Sequence, residues 1–232
     1  MNKIVVKNIE KFEKKIGIKF NNKNLLNNAF IHRSYLNESK ISEESNERLE
    51  FLGDAVLELV ITEYLFLNYK KNEGELTAIR SALVRGKNLS EIAKELELYE
   101  CLFLSVGERK SSEKAKDLIL ANTLEALIGA IYIDSGYEKA KKFIISTIAK
   151  KVHQVLEDKL YIDAKSELQE KVQERDKLTP HYRLIKEEGP DHNKTFVTGI
   201  YIGEKFIAQG QGSSKNIAEQ DAAHHALEIL SY

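Results

Sequence analysis

A single cysteine stands among the 232 residues. That excludes an intramolecular disulfide framework and a thiolate zinc cage, and Cys101 fits a reducing, intracellular setting. Proline is almost as scarce. Pro180 and Pro190 both fall in the last quarter, so no proline interrupts a helix before residue 180. No apolar run approaches the ~18 residues of a membrane span, and Met1 leads into Asn2 and Lys3 with no long apolar stretch behind them. Secretion and membrane insertion are therefore not expected. Charge of one sign is not in excess either: 35 Lys and Arg face 36 Asp and Glu, a formal net charge of −1. Any binding of nucleic acid must then come from local placement of charge.

What is present is a soluble, globular composition, 42% hydrophobic and 31% charged. Apolar residues recur at helical spacing over about 8–16, 23–30, 46–69, 76–97, 112–133 and 137–157. Gly74, Gly107 and Gly136 fall between these stretches, where helix ends are expected. After about residue 160 the pattern changes. A helical stretch, Ala164–Arg175, precedes runs rich in β-formers: His181–Lys186, Thr195–Ile202 and Glu204–Gln209. Gly203 with Glu204 signals a tight hairpin. A last helical stretch covers Lys215–Leu230, with Ser213 or Ser214 as its N-cap. The reading is an all-α domain over 1–157 followed by a small α+β domain, α-β-β-β-α, over 163–232.

The segment Asn46-Glu47-Arg48-Leu49-Glu50-Phe51-Leu52-Gly53-Asp54-Ala55-Val56-Leu57 carries the most information. On a helix of ~100° per residue, Glu47, Glu50 and Asp54 share one stripe while apolar residues cover much of the rest. A second, almost wholly apolar helix offers Asn122 and Glu125 at i, i+3. Oxygen donors from two such helices suit Mg²⁺, which takes few protein oxygens and completes its octahedron with water. Glu73 begins the next helix and is a third source of charge. By spacing alone, the stripe reads first as a solvated helix face, and Glu125 as an ion-paired residue. Phe51, read alone, is an ordinary core aromatic.

Taken whole, the Asn46–Leu57 segment resembles the signature motif of the ribonuclease III family. Ala29-Phe30-Ile31-His32-Arg33-Ser34 upstream agrees, as do Glu73-Gly74-Glu75-Leu76-Thr77 and the run Leu124–Asp134 downstream. So long a motif is specific. The resemblance covers nearly the whole chain and implies a bacterial-type endoribonuclease: an all-α N-terminal endonuclease domain followed by a double-stranded-RNA-binding domain. It implies that Glu50, Asp54 and Glu125 fill three of four metal-binding acid positions, with Asp54 and Glu125 catalytic. The fourth position, normally Asp, is Asn122, which keeps a carbonyl oxygen and loses the charge. Glu47 and Glu73 match acids that border the site. Phe51 matches an aromatic residue that enters a pocket of the partner subunit, so a homodimer is implied. Such a dimer suits the two antiparallel strands of a duplex. Mg²⁺ is the implied cofactor, with Mn²⁺ as a substitute.

The C-terminal part presents Ser166, Gln169, Glu170 and Gln173 on one helix face. Such groups suit the 2′-hydroxyls of a minor groove, although a plain solvated face has the same look. Lys215 and the start of the last helix offer donors to phosphates, and the loop with His192 and Lys194 is placed to reach a second groove. These features resemble a double-stranded-RNA-binding domain. Residues 163–232 hold nine Lys and Arg against twelve Asp and Glu. An acidic reader of this kind predicts weak, salt-sensitive binding. The six histidines lack metal-ligand spacing, and Cys101 reads as packing. The expectation is a cytoplasmic, metal-dependent nuclease for double-stranded RNA, used in rRNA and mRNA processing. Its rival is a non-cleaving double-stranded-RNA-binding protein whose nuclease site is disabled by Asn122.

Overall fold

A computed structural model describes residues 9–39, 44–157, 164–190 and 194–230. The chain divides into two compact units, 1–161 and 162–232.

The first unit is helical: α1 (Ile9–Ile16), α2 (Lys23–Ala29), α3 (Arg33–Ser39), α4 (Glu47–Asn68), α5 (Glu73–Leu83), α6 (Gly86–Glu95), α7 (Val106–Arg109), α8 (Glu113–Ser135), α9 (Tyr137–Thr147) and α10 (Val152–Glu157). Helix α8 is its axis. Ser112 caps the N-terminus by accepting from the Ala115 amide. Gly136 ends it at φ +81°, in the left-handed region that glycine tolerates. Leu120, Leu124, Ala126, Leu127, Ile128, Ala130 and Ile131 are buried on every side of α8, because α4, α6, α9 and α2 all pack on it. By length and composition α8 alone among the described helices would cross a membrane, but most of its apolar window is already buried inside this unit. Its hydrophobicity is that of a core helix.

Several expected boundaries shift. The stretch 76–97 is two helices, because Val84 closes α5 and Arg85 turns extended before Gly86 opens α6. The stretch 137–157 is broken by a 3₁₀ turn at Ala149–Lys151. Gly74 and Gly107, expected between helices, lie in the first turns of α5 and α7. Helix α3 was not expected at all.

The second unit runs α11 (Ala164–Asp176), β1 (Pro180–Glu188), β2 (Thr195–Ile202), β3 (Lys205–Gly212), α12 (Lys215–Ile229). The strands form one antiparallel sheet in the order β1-β2-β3. Pro180 opens β1, where its missing N–H costs no ladder bond, and Gly203 takes φ +57° in the β2–β3 hairpin. Ser214 is the N-cap of α12. Both helices cover one sheet face, and the core between them is built on Leu168, Val172, Ile200 and four alanines of α12.

Candidate active site and nucleic-acid interface

The nuclease-like site begins with a backbone contact. A Cβ on Gly53 would stand 1.8 Å from the Glu125 carbonyl oxygen and 2.8 Å from the Gly129 nitrogen. A Cβ on Gly129 would stand 2.2 Å from the Leu49 carbonyl oxygen. Helices α4 and α8 therefore cross backbone to backbone, antiparallel, with no side chain between them. The start of α4 is fixed separately. Asn46 is buried; its amide N–H donates to the Ile31 carbonyl at 2.8 Å and its side chain to the Ala29 carbonyl at 3.3 Å. The segment that receives it is itself held by the Phe30–Phe103 and His32–Phe103 backbone bonds. Ser34 accepts from the Ser105 amide at 3.2 Å and bonds His32 at 2.8 Å, so both residues act as structural supports.

This crossing brings Glu50 and Asp54 of α4 against Asn122 and Glu125 of α8. Burial, followed by the charges of Asp54 and Glu50, pushes the Glu125 carboxyl up to about 7. Burial and then Glu47 raise Glu50, while the Asn122 side chain and Arg33 act in the opposite direction. Of the α4 carboxylates, Glu47, Glu58 and Glu63 form ion pairs. No described Lys or Arg pairs with Glu50, Asp54 or Glu125. Carboxylates gathered in this way without a counter-ion attract a cation.

Glu47 borders the cluster. It accepts from Arg33 at 3.3 Å and from Ser45 at 2.8 Å. Glu73 does not join it within this chain. It lies against Thr77 in a recess of about 490 Å³ with Thr62, Phe66 and Arg80. Thr62 is two turns beyond Asp54, ~12 Å along α4. Spacing in the sequence did not say to which turn of α4 the next helix returns. Phe51 is no core residue: it is 82% exposed. Leu59 and Phe66 share its side of α4 and are also exposed. A groove of about 870 Å³ opens beside Phe51, lined by Asn24, Leu25, Leu49, Leu52 and Ile133 among others.

In the second unit Ser166, Gln169, Glu170 and Gln173 are exposed on α11, opposite buried Leu168 and Val172. Lys215 is exposed at the first turn of α12. Lys194 pairs with Glu187 at 2.7 Å. Lys165 pairs with Glu219 at 2.5 Å and lies over the Tyr182 ring. His192 lies outside the described residues. His225 bonds the Gln209 carbonyl at 2.8 Å and ties α12 to β3. The sheet and α12 meet as closely as α4 and α8 do: a Cβ on Gly210 would stand 2.1 Å from the Ala222 nitrogen.

Comparison with known proteins bears on both units. The family described as Ribonuclease-III-like matches residues 22–152, and the double-stranded RNA binding motif matches residues 164–230. Ribonuclease 3 of Borreliella burgdorferi is 44% identical over 223 residues, 96% of this chain and 91% of that relative. Ribonuclease 3 of Leptospira interrogans is 46% identical over 219 residues, 94% of this chain and 89% of that relative.

The chain belongs to the ribonuclease III family.

A solved nuclease domain of ribonuclease III from Campylobacter jejuni superposes with a TM-score of 0.57 at 44% identity. It covers 62% of this chain and 97% of the solved one. Membership carries the family's divalent-metal requirement. The residues fit it. Three carboxylates and an amide oxygen are hard donors, half-buried or exposed, and no described Lys or Arg is ion-paired to the carboxylates. Among the described residues no three His, Cys, Asp or Glu side chains close into a preformed cage. The residues that sequence reasoning missed in this ribonuclease III fold are Gly53, Gly129 and Asn46. Their signal was available: a glycine inside an apolar helix and a polar residue at its start.

Proposed function

We propose that this ribonuclease III-family chain is an endoribonuclease that hydrolyses phosphodiester bonds in double-stranded RNA. Residues 1–157 form the nuclease domain and 163–232 the RNA-binding domain. The observation that carries this reading is the α4–α8 crossing, where Glu50, Asp54 and Glu125 gather with no described Lys or Arg ion-paired to them. These three side chains would hold Mg²⁺, or Mn²⁺ in its place, with the Asn122 oxygen as a weaker fourth ligand. A divalent ion held by these residues would supply polarisation of water and of the phosphoryl oxygens. Asp54 and Glu125 are the catalytic carboxylates. Glu125 keeps its proton near neutrality when it faces Asp54 and Glu50 alone, so cation binding displaces that proton. Attack of water on phosphorus with the 3′-oxygen leaving gives 5′-phosphate and 3′-hydroxyl ends. Glu47 and Glu73 border the reaction, Glu73 from outside its own chain's cluster.

The protein acts as a homodimer through the face of Phe51. The Campylobacter jejuni structure is described by a region involved in dimer formation of the nuclease domain, and the exposed Phe51, Leu59 and Phe66 give this chain a matching apolar surface. Ser166, Gln169, Glu170 and Gln173 meet ribose hydroxyls, and Lys194, Lys215 and His192 complete the RNA contact. The setting is cytoplasmic rRNA and mRNA processing. The deciding experiment is cleavage of a labelled perfect RNA duplex with Mg²⁺, Mn²⁺ or EDTA, beside Glu125→Gln. Cutting by the wild type with metal, lost in EDTA and in Glu125→Gln while duplex binding persists, is the expected result. A wild-type chain that binds the duplex and never cuts it overturns the reading.

A further inference from the structure

Helix α11 carries the face assigned above to ribose hydroxyls, and little apolar surface holds it. It buries only Ala164, Leu168 and Val172. At ~100° per residue these cover an arc of about 80°, narrower than the apolar stripe of an ordinary surface helix. Ser166, Gln169, Glu170 and Gln173 lie on the opposite side, and turning α11 by one residue would carry them out of line. Lys165 stands between the two faces and is tied to both neighbouring elements. Its amide N–H, one of the unpaired donors of a first helical turn, donates to the Gln220 side-chain oxygen of α12 at 3.3 Å. Its ammonium pairs with Glu219, the adjacent α12 residue, and sits 5.0 Å from the centre of the Tyr182 ring of β1. Only 30% of the Lys165 side chain and 26% of the Glu219 side chain meet solvent, so the pair is shielded more than an ordinary surface ion pair.

We propose that Lys165 is a positioning residue. Its charge is used inside the domain, to fix the rotation of α11 about its own axis and with it the aim of Gln169 and Gln173, rather than to hold a phosphate. The role rests on the reading above that this face of α11 meets the duplex. A lysine at the start of a helix in an RNA-binding domain is otherwise a natural phosphate donor. The two roles differ in sign at Glu219. Were Lys165 a phosphate contact, Glu219 would compete with RNA for it, and neutralising Glu219 would strengthen binding. With Lys165 as a lock, neutralising Glu219 releases α11 and weakens binding, even though the domain loses a negative charge. The roles differ again in salt dependence. A phosphate contact releases counter-ions and steepens the fall of affinity with salt, whereas a lock within the protein does not.

The test is binding of the full chain to a fluorescently labelled perfect RNA duplex in EDTA, so that no strand is cut, read as anisotropy over a KCl series well below the melting range. Lys165→Ala and Glu219→Gln are each expected to weaken binding about fivefold, with the slope of log Kd against log salt as in the wild type. The double variant is expected to bind no worse than either single one, because both remove the same lock. Lys165→Arg keeps the ion pair and the ring contact and is expected to stay within about twofold of wild type. Lys215→Ala is the reference: it is expected to weaken binding and to flatten the slope by about one for each phosphate it held. A slope flattened to the same extent in Lys165→Ala overturns the proposal. So does tighter binding by Glu219→Gln, or wild-type affinity in both single variants. Should circular dichroism show that Lys165→Ala unfolds the second unit, Glu219→Gln decides by the same two readouts. Wild-type affinity in Gln169→Ala, or no duplex binding by any chain, overturns the α11 reading together with this proposal.

Discussion

Gly53 and Gly129 carry no functional group, yet they set where the carboxylates stand. Replacing Gly53 with alanine drives a Cβ into the Glu125 carbonyl, which is backbone and cannot rotate aside. We expect Gly53→Ala to lose at least about 2–3 kcal/mol of stability, at the upper end of overpacking effects. Cleavage should fall with it, measured by thermal melting and by duplex cutting below the melting range. The acids themselves were legible in the sequence, because helical periodicity aligns Glu50 with Asp54 and Asn122 with Glu125. The glycines were not. An isolated helix glycine reads as a cost of ~1 kcal/mol relative to alanine, and only the partner helix shows why it is there. Glu73 shows the opposite limit: its residue type and motif were visible, but its distance from the cluster depends on how α5 returns along α4.

Among the elements, α4 is anchored at both ends by unlike means: Asn46 at its start, and Glu63 near its end. Glu63 pairs with Lys141 of α9 at 2.7 Å and accepts from the Tyr137 hydroxyl at 2.8 Å. Those two bonds, Lys141 first, hold the Glu63 carboxyl below the usual carboxylate range. The unfolded chain then binds this proton more readily than the folded one. The stabilisation is therefore fully present above the ordinary carboxylate pKa and is lost as the pH falls from there through the lowered folded value. We expect Glu63→Gln to melt below wild type at neutral pH and the difference to close as the solution is acidified, read as melting temperature against pH. Lys141 lies among the lysines of α9. Its partner lies 78 positions earlier, and no local pattern announces such a pair. Long, strongly periodic helices such as α4 and α8 were legible. The break at Val84–Gly86 was not, because apolar spacing continues through it while Arg85 leaves helical geometry. The short α3 and α7 were missed for want of enough turns to show a period.

For the whole molecule, the order of the two units followed from composition alone: proline-free helical spacing first, then β-formers between two helices. Their small-residue contacts did not. The C-terminal unit packs α12 on β3 through Ala218 and Ala222 against Gly210 and Gly212, with Ala223 and Ala226 also buried, a face that reads in sequence as mere helix propensity. The first unit leaves Phe51, Leu59 and Phe66 in solvent, an apolar surface that a proposed second copy would cover. We expect Phe51→Asp to sediment as a monomer at micromolar concentration, to retain its helical circular dichroism, and to lose duplex cleavage. A dimer that survives this change would remove the assigned interface. The backbone crossing of α4 and α8 constrains the chain in one more way. When two side chains collide, a neighbour can shrink and restore the fit. Where the neighbour is a carbonyl or an amide nitrogen, nothing can shrink. A side chain gained at residue 53 or 129 therefore has no second-site suppressor inside the nuclease unit, and sequence drift must route around both positions.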